Sequence, residues 1–216
     1  MTHSLHRFGP EESFEHDYVV LIRPAIGVNS KGAAPKIRRV LQLVYEHGPT
    51  NMGCVAKGQS LITGLDVEST IPEVQDNWPI FSVFSDRQKL ASLLKQLKEE
   101  DIGLSVTVSG VVDQVEQLAA SEGLRPHSAH FSLGIHGDKK KLAADQDLEI
   151  TTMCGHGLVA ARLVQHLREE VAAGRISAEE AARQAARPCS CGIFNTERAK
   201  TLFEQQAHEC RCAPKH

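Results

Sequence analysis

The chain has 216 residues, 41% of them apolar and 24% charged, which is enough for one ordinary domain with a substantial core and a small appendage. Its 24 basic and 27 acidic side chains leave a formal charge of −3, which gives no electrostatic case for a nucleic-acid partner. No apolar run approaches the roughly 18 residues that a membrane span needs, and MTHSLHRFGPEESFEHD lacks the apolar centre of a secretory signal, so the expectation is a soluble cytoplasmic protein with no membrane partner.

Residues 1–16 are polar and without periodicity and read as a mobile lead-in. From residue 17 the chain reads as an α/β domain to 153. DYVVLIRPAI is a strand by its Val and Ile content, GVNSKGAAPK is a turn, and Ile37, Val40, Leu41 and Val44 form the apolar stripe of a helix ending near Gly48. That turn lacks the glycine spacing of a nucleotide site, so Asn29, Ser30 and Lys31 read as a plain connection. Residues 49–79 carry no clear pattern, although VAKGQSLITGL could hold a strand, and a structureless stretch of that length implies an unread element. The lone Cys54 within it reads as a buried small hydrophobe.

Further on, IFSVFS is a strand, Ser85 or Asp86 caps a helix with Leu90, Leu93, Leu94 and Leu97 on one face, and Gly103 marks its left-handed end. LSVTVSG, the helix VVDQVEQLAASEG, and the strands AHFSLGIHG and LEITT follow. In AHFSLGIHG, Phe131, Leu133 and Ile135 share one face and His130, Ser132 and His136 the other. Strands alternating with helices predict right-handed crossovers and a mostly parallel sheet with flanking helices. Residues 154–207 then form a helical Cys/His segment packed on that domain. Its helices start at Leu158, at the capping box of Ser177 and Glu180, and at Asn195 or Thr196, and residues 208–216 form a loosely held tail.

Five of the six cysteines (Cys154, Cys189, Cys191, Cys210 and Cys212) fall in this last part, which in a cytoplasmic chain points to metal binding or thiol chemistry rather than disulfides. Cys154 and His156 stand in MCGHG, Cys189 and Cys191 in PCSCG, and His208, Cys210 and Cys212 in HECRC. Two helices separate the first pair from the second, so an antiparallel return could bring them together. Cys154, Cys189 and Cys191, with His156 or a tail cysteine as fourth ligand, would satisfy tetrahedral zinc or an iron–sulfur cluster.

A second reading is covalent. LEITT hands over to a helix at Cys154, where free N–H groups favour a thiolate; Cys154 is then a nucleophile or proton carrier and His156, His130 or His136 its base. MCGHG resembles the cysteine motif of the proline racemase and hydroxyproline epimerase family, which implies α-proton transfer by Cys154. EITTMCGHGLVAARL with AARPCSCGIFNTERA resembles an uncharacterised bacterial family with paired MCGHG and PCxCGIFN motifs, which implies no activity. In a parallel sheet, Ser85, Asp86, Ser109, Gly110, His136, Gly137, Cys154 and Gly155 would gather at the carboxyl ends of the strands, as a pocket for a small molecule. A third reading is metal delivery, with HECRC as the handover arm.

Overall fold

The computed structural model describes residues 3–212, with side chains described for 4–209. In chain order the regular elements are β1 (Tyr18–Arg23), α1 (Ala34–Glu46), β2 (Asn51–Cys54), β3 (Gln59–Ser60), α2 (Val67–Thr70), β4 (Ile80–Phe84), α3 (Arg87–Glu99), β5 (Ser105–Ser109), α4 (Val112–Ser121), α5 (Asp145–Thr151), α6 (Ala161–Ala172), α7 (Ala178–Ala186) and α8 (Thr196–Cys212).

The strands form one sheet of five, in the order β3-β2-β4-β1-β5, and every neighbouring pair is antiparallel. This corrects the expectation of a mostly parallel sheet. The helical crossovers exist, but each skips a strand: α1 leads from β1 to β2 with β4 between them, and α3 leads from β4 to β5 with β1 between them. The strands each crossover joins are parallel to each other, yet they are never neighbours, which is the split βαβ arrangement. Two expected strands are also absent. LEITT lies in α5, where Asp147 and Ile150 are buried at helical spacing, and AHFSLGIHG has no regular structure and is exposed. One strand had no sequence signal at all: β2, NMGC, has only four residues, one of them glycine and none β-branched.

Both faces of the sheet are covered. Tyr18, Val20, Ile22, Met52, Ile80 and Phe84 pack under α1 and α3. Val19, Leu21, Phe81 and Val83 pack under the helices that follow residue 144. Strand β1 can therefore be a continuous apolar run, YVVLI, with every residue of it at 6% exposure or less. Cys54 faces the first layer, while Cys154, Cys189 and Cys191 belong to the second.

Several local signals act as read. Asp86 caps α3 by accepting from the N–H groups of Gln88 and Lys89, Ser177 caps α7 through Glu180, and Asn195 caps α8 through the N–H of Arg198. The turn before α1 is a connection: Asn29 bonds within it and to Gly103, and the Asp76 carboxylate accepts from Gly32 and Ala34. Those donors hold the Asp76 carboxyl below its usual range and leave a negative charge where a phosphate would have to sit.

The lead-in expected to be mobile is tied down. It holds two 3-10 turns, His3–His6 and Glu11–Phe14; the Phe8 N–H donates to Thr152 Oγ1, and Arg7 pairs with buried Asp17 at 2.6 Å. At the other end the backbone is helical to Cys212, where a loosely held tail was expected.

The second layer meets the sheet most closely at β2. Side chains alternate there, so Met52 and Cys54 face α1 and α3 while Asn51 and Gly53 face the cysteines. A Cβ on Gly53 would lie 2.5 Å from the Cys191 carbonyl carbon and 2.6 Å from Ser190 O. On the other side, Gly192 has φ +73, and a Cβ there would lie 2.1 Å from the Met52 carbonyl carbon. The PCSCG turn is thus pressed backbone to backbone on β2. Gly53→Ala should cost about 2–3 kcal/mol in urea denaturation through overpacking. Gly58→Ala, at φ +63 with nothing within 4 Å of the new methyl, should cost only about 1 kcal/mol. Equal losses would mean that the turn retreats freely from the strand.

Candidate metal centre

Cys154 follows α5 in a turn, and its nearest following helix, α6, begins only at Ala161 rather than at Leu158. The strand-to-helix junction that would have activated it does not exist. Pro188 ends the second return helix, α7, and the turn after it brings Cys189 and Cys191 to Cys154. All three thiols are buried, at 2%, 0% and 1% exposure respectively, and none is in a disulfide.

The sulfurs and one imidazole touch in series. Cys154 hydrogen-bonds Cys189, Cys189 Sγ lies 3.7 Å from Cys191 Sγ, and Cys191 Sγ lies 3.6 Å from Nδ1 of His156. His156 itself is exposed, on a turn between Gly155 and Gly157. Among the described residues, no group of three or more His, Cys, Asp or Glu side chains is arranged so that it could hold a metal ion as it stands; these four meet in pairs along a line. Four of the expected site residues are therefore brought together. His136 is placed in the exposed segment after α4, its Nε2 2.9 Å from Leu133 O, and neither it nor Cys154 stands at the end of a strand. The side chains of Cys210 and Cys212 lie outside the described residues.

Backbone N–H groups converge on the sulfurs. Leu158 and His156 donate to Cys154, Phe194 donates to Cys189, and Ile193 donates to Cys191. Each such donor favours thiolate over thiol. The hydrogen bond from Cys189 holds the Cys191 thiol below its ordinary value against burial. Cys189 gains from its bond with Cys154, but its bond with Cys191 and burial outweigh that and push it up to about 11. Cys154, at the donating end of the series and buried, is raised furthest. Of the three thiols Cys191, beside the imidazole, is therefore the most readily ionised, and the other two hold their protons more tightly.

Sequence reasoning missed what holds the turn in place. The Ile193 carbonyl accepts from Arg7 and the Phe194 carbonyl from Asn51 Nδ2, so the N–H groups of these residues serve the sulfurs while their carbonyls bind the frame. Asn195 then donates to Asp17 and to His16 O and accepts from Ser85. Asp17, fully buried as a side chain, also receives Arg7 at 2.6 Å and Arg198 at 3.2 Å, and Arg198 lies over the Phe14 ring at 4.4 Å. Polar residues of this kind scattered over 190 positions have no local signature. The nearest signal was IFN directly after PCSCG, an apolar pair with one amide where a helix cap was already expected.

Two surface depressions, one lined by Ala34, Asp76 and Trp78 and the other by Ser92, Gln96 and Glu100, lie on the α1 and α3 side and touch none of these thiols. No helix among the described residues is long and apolar enough to cross a membrane. No family model matches the chain, no curated protein matches it, and no solved structure matches it.

The geometry makes a definite statement about reactivity. At neutral pH, metal-free protein should alkylate at Cys154 no faster than at Cys54, because Cys154 is buried and protonated. Denaturation should release both. Mass spectrometry after a timed iodoacetamide pulse checks this, and fast selective labelling of Cys154 would restore it as a nucleophile.

Proposed function

We propose that this chain binds one thiophilic metal ion, zinc, through Cys154, Cys189 and Cys191, with His156 as the closing ligand. The observation that carries this reading is the meeting of three buried thiols and an imidazole from two motifs 35 residues apart, at 3.7 and 3.6 Å. A tetrahedral ion with metal–sulfur bonds of about 2.3 Å has ligand–ligand edges of about 3.8 Å. Two edges of such a site are thus close to length before any ion arrives. An iron–sulfur core, standing between its thiolates, would hold them further apart, so the spacing favours a single ion.

What the ion supplies is closure. It draws the line of donors into a ring that exposed His156 closes on the solvent side, and replaces the protons of Cys154 and Cys189 with a doubly positive charge. The N–H groups aimed at the sulfurs orient the thiolates and offset part of their charge. Since Cys154 follows α5 and Cys189 and Cys191 follow α7, the ion joins both ends of the helical layer at the point where that layer rests on β2. The function this supports is a metal centre that secures the C-terminal helices to the sheet. The burial of the three thiols gives no support to a metal-free thiol enzyme.

Metal-free protein titrated anaerobically with Co²⁺ should take up one equivalent, with intense thiolate charge-transfer absorption, and zinc should displace it. Cys189→Ser and Cys191→Ser should each weaken zinc by more than about a hundredfold, and zinc should raise the melting temperature of the wild type only. Retained affinity and melting temperature in both variants would overturn the reading.

The pH dependence follows from the raised thiols. Because Cys189 is pushed up to about 11 and Cys154 is raised further, both are protonated at neutral pH and must lose a proton to bind. Zinc affinity should therefore rise with pH and fall on acidification, by about a hundredfold per unit if two protons leave. Calorimetry in buffers of different ionisation enthalpy counts them directly; a count near zero would mean that these two thiols are not ligands.

A further inference from the structure

Between α4 and α5 the chain runs through AHFSLGIHG, residues 129–137, with its apolar side chains in water: Phe131 is 64% exposed, Leu133 88% and Ile135 40%. Among the described residues, none forms a backbone-to-backbone hydrogen bond with residues 125–137. Three large apolar groups at alternate positions, on a backbone bonded only to the nearby side chains of Ser132 and His136, are what a β-strand looks like before it is paired. At the same time, among the described residues, β5 is the last strand of the sheet and pairs only with β1, so no strand covers its outer edge.

The two edges match in pattern. In β5, Val106 and Val108 pair with Ile22 and Val20 and so share the face under α1 and α3, while Ser105, Thr107 and Ser109 share the other. Val106 is still 39% exposed, as expected of an apolar face that ends too soon. The free segment alternates in the same way, with Phe131, Leu133 and Ile135 against His130, Ser132 and His136. Laid beside β5, it would continue the valines with its apolar side and the hydroxyls with its polar side. Gly134, at φ +85, bends the segment away from an extended path, and a glycine can return to extended geometry without a side-chain penalty.

We propose that this segment is a dimerisation strand: residues 129–136 of one copy add to the outer edge of β5 of a second copy, and the exchange is reciprocal. In the single chain the segment does not lie on its own β5, whereas a second copy offers the same open edge with the same alternation. Reciprocal exchange of an element is a low-cost route to a two-fold dimer, since each chain supplies one strand and receives one. It also removes two liabilities together, an open sheet edge and a run of exposed apolar side chains.

The test is light scattering on size-fractionated protein over a concentration series, with hydrogen exchange of the 129–136 amides on the same samples. A dimer whose 129–136 amides are protected is expected for the wild type. Phe131→Asp with Leu133→Asp should raise the dimer dissociation constant by at least about a hundredfold, and should leave the melting curve of the monomer and its zinc content unchanged. A monomer with unprotected amides overturns the proposal, as does a monomer with protected amides, which would mean that the segment pairs with its own β5. A dimer that survives the double substitution overturns it too, because the interface then lies elsewhere. Zinc content is a separate readout, so failure here is independent of the metal centre.

Discussion

The contact on which the C-terminal half depends is the one between the PCSCG turn and β2, where two backbones meet with no side chain between them. Gly53 and Gly192 make this approach geometrically possible, and the approach brings Cys189 and Cys191 against the face of the sheet at β2. From there α8 has to leave through Asn195, α7 has to arrive at Pro188, and the Cys154 turn has to close over the sulfurs. A one-residue slip of β2 would turn Met52 toward the turn in place of Gly53 and prevent the seating altogether.

Around this contact the polar groups divide by destination. N–H groups of Leu158, His156, Ile193 and Phe194 point at sulfur, while the carbonyls of Ile193 and Phe194 are held by Arg7 and Asn51. Buried Asp17, with two guanidiniums and an amide on it, carries the frame. Removing a single partner from such a cluster would strand a buried charge, which is why the N-terminal segment belongs to the fold although it has no apolar pattern of its own. The sulfur series differs in kind. Its internal hydrogen bonds run from thiol to thiol and leave protons on Cys154 and Cys189.

The fold was legible wherever an element carries its own periodicity. Ile37, Val40, Leu41 and Val44 announced α1, the leucines of RQKLASLLKQL announced α3, and the run YVVLI announced a strand. LEITT misled because two β-branched threonines and an isoleucine in a seven-residue helix look like a strand when its partners are unknown. AHFSLGIHG misled in another way: its alternation is real, but alternation states only that a strand could form, and the single chain leaves it unpaired. NMGC escaped notice because its burial comes from neighbours on both sides and not from its own side chains.

By itself the sequence determined, among the described residues, six of the eight helices, three of the five strands, the cap at Ser177, two adjacent choices each for the caps of α3 and α8, and the set Cys154, His156, Cys189 and Cys191 as residues of shared chemistry. Each of these rests on spacing within a few residues, which a linear text records. The tertiary structure alone decided that the sheet is antiparallel, that β2 exists, that Cys154 is a buried thiol and not a helix-start nucleophile, and that Arg7, Asp17 and Asn51 hold the thiol turn. Those facts depend on which segments become neighbours across more than a hundred residues. That choice follows from side-chain volume and buried hydrogen bonding in three dimensions, which spacing along the chain does not encode.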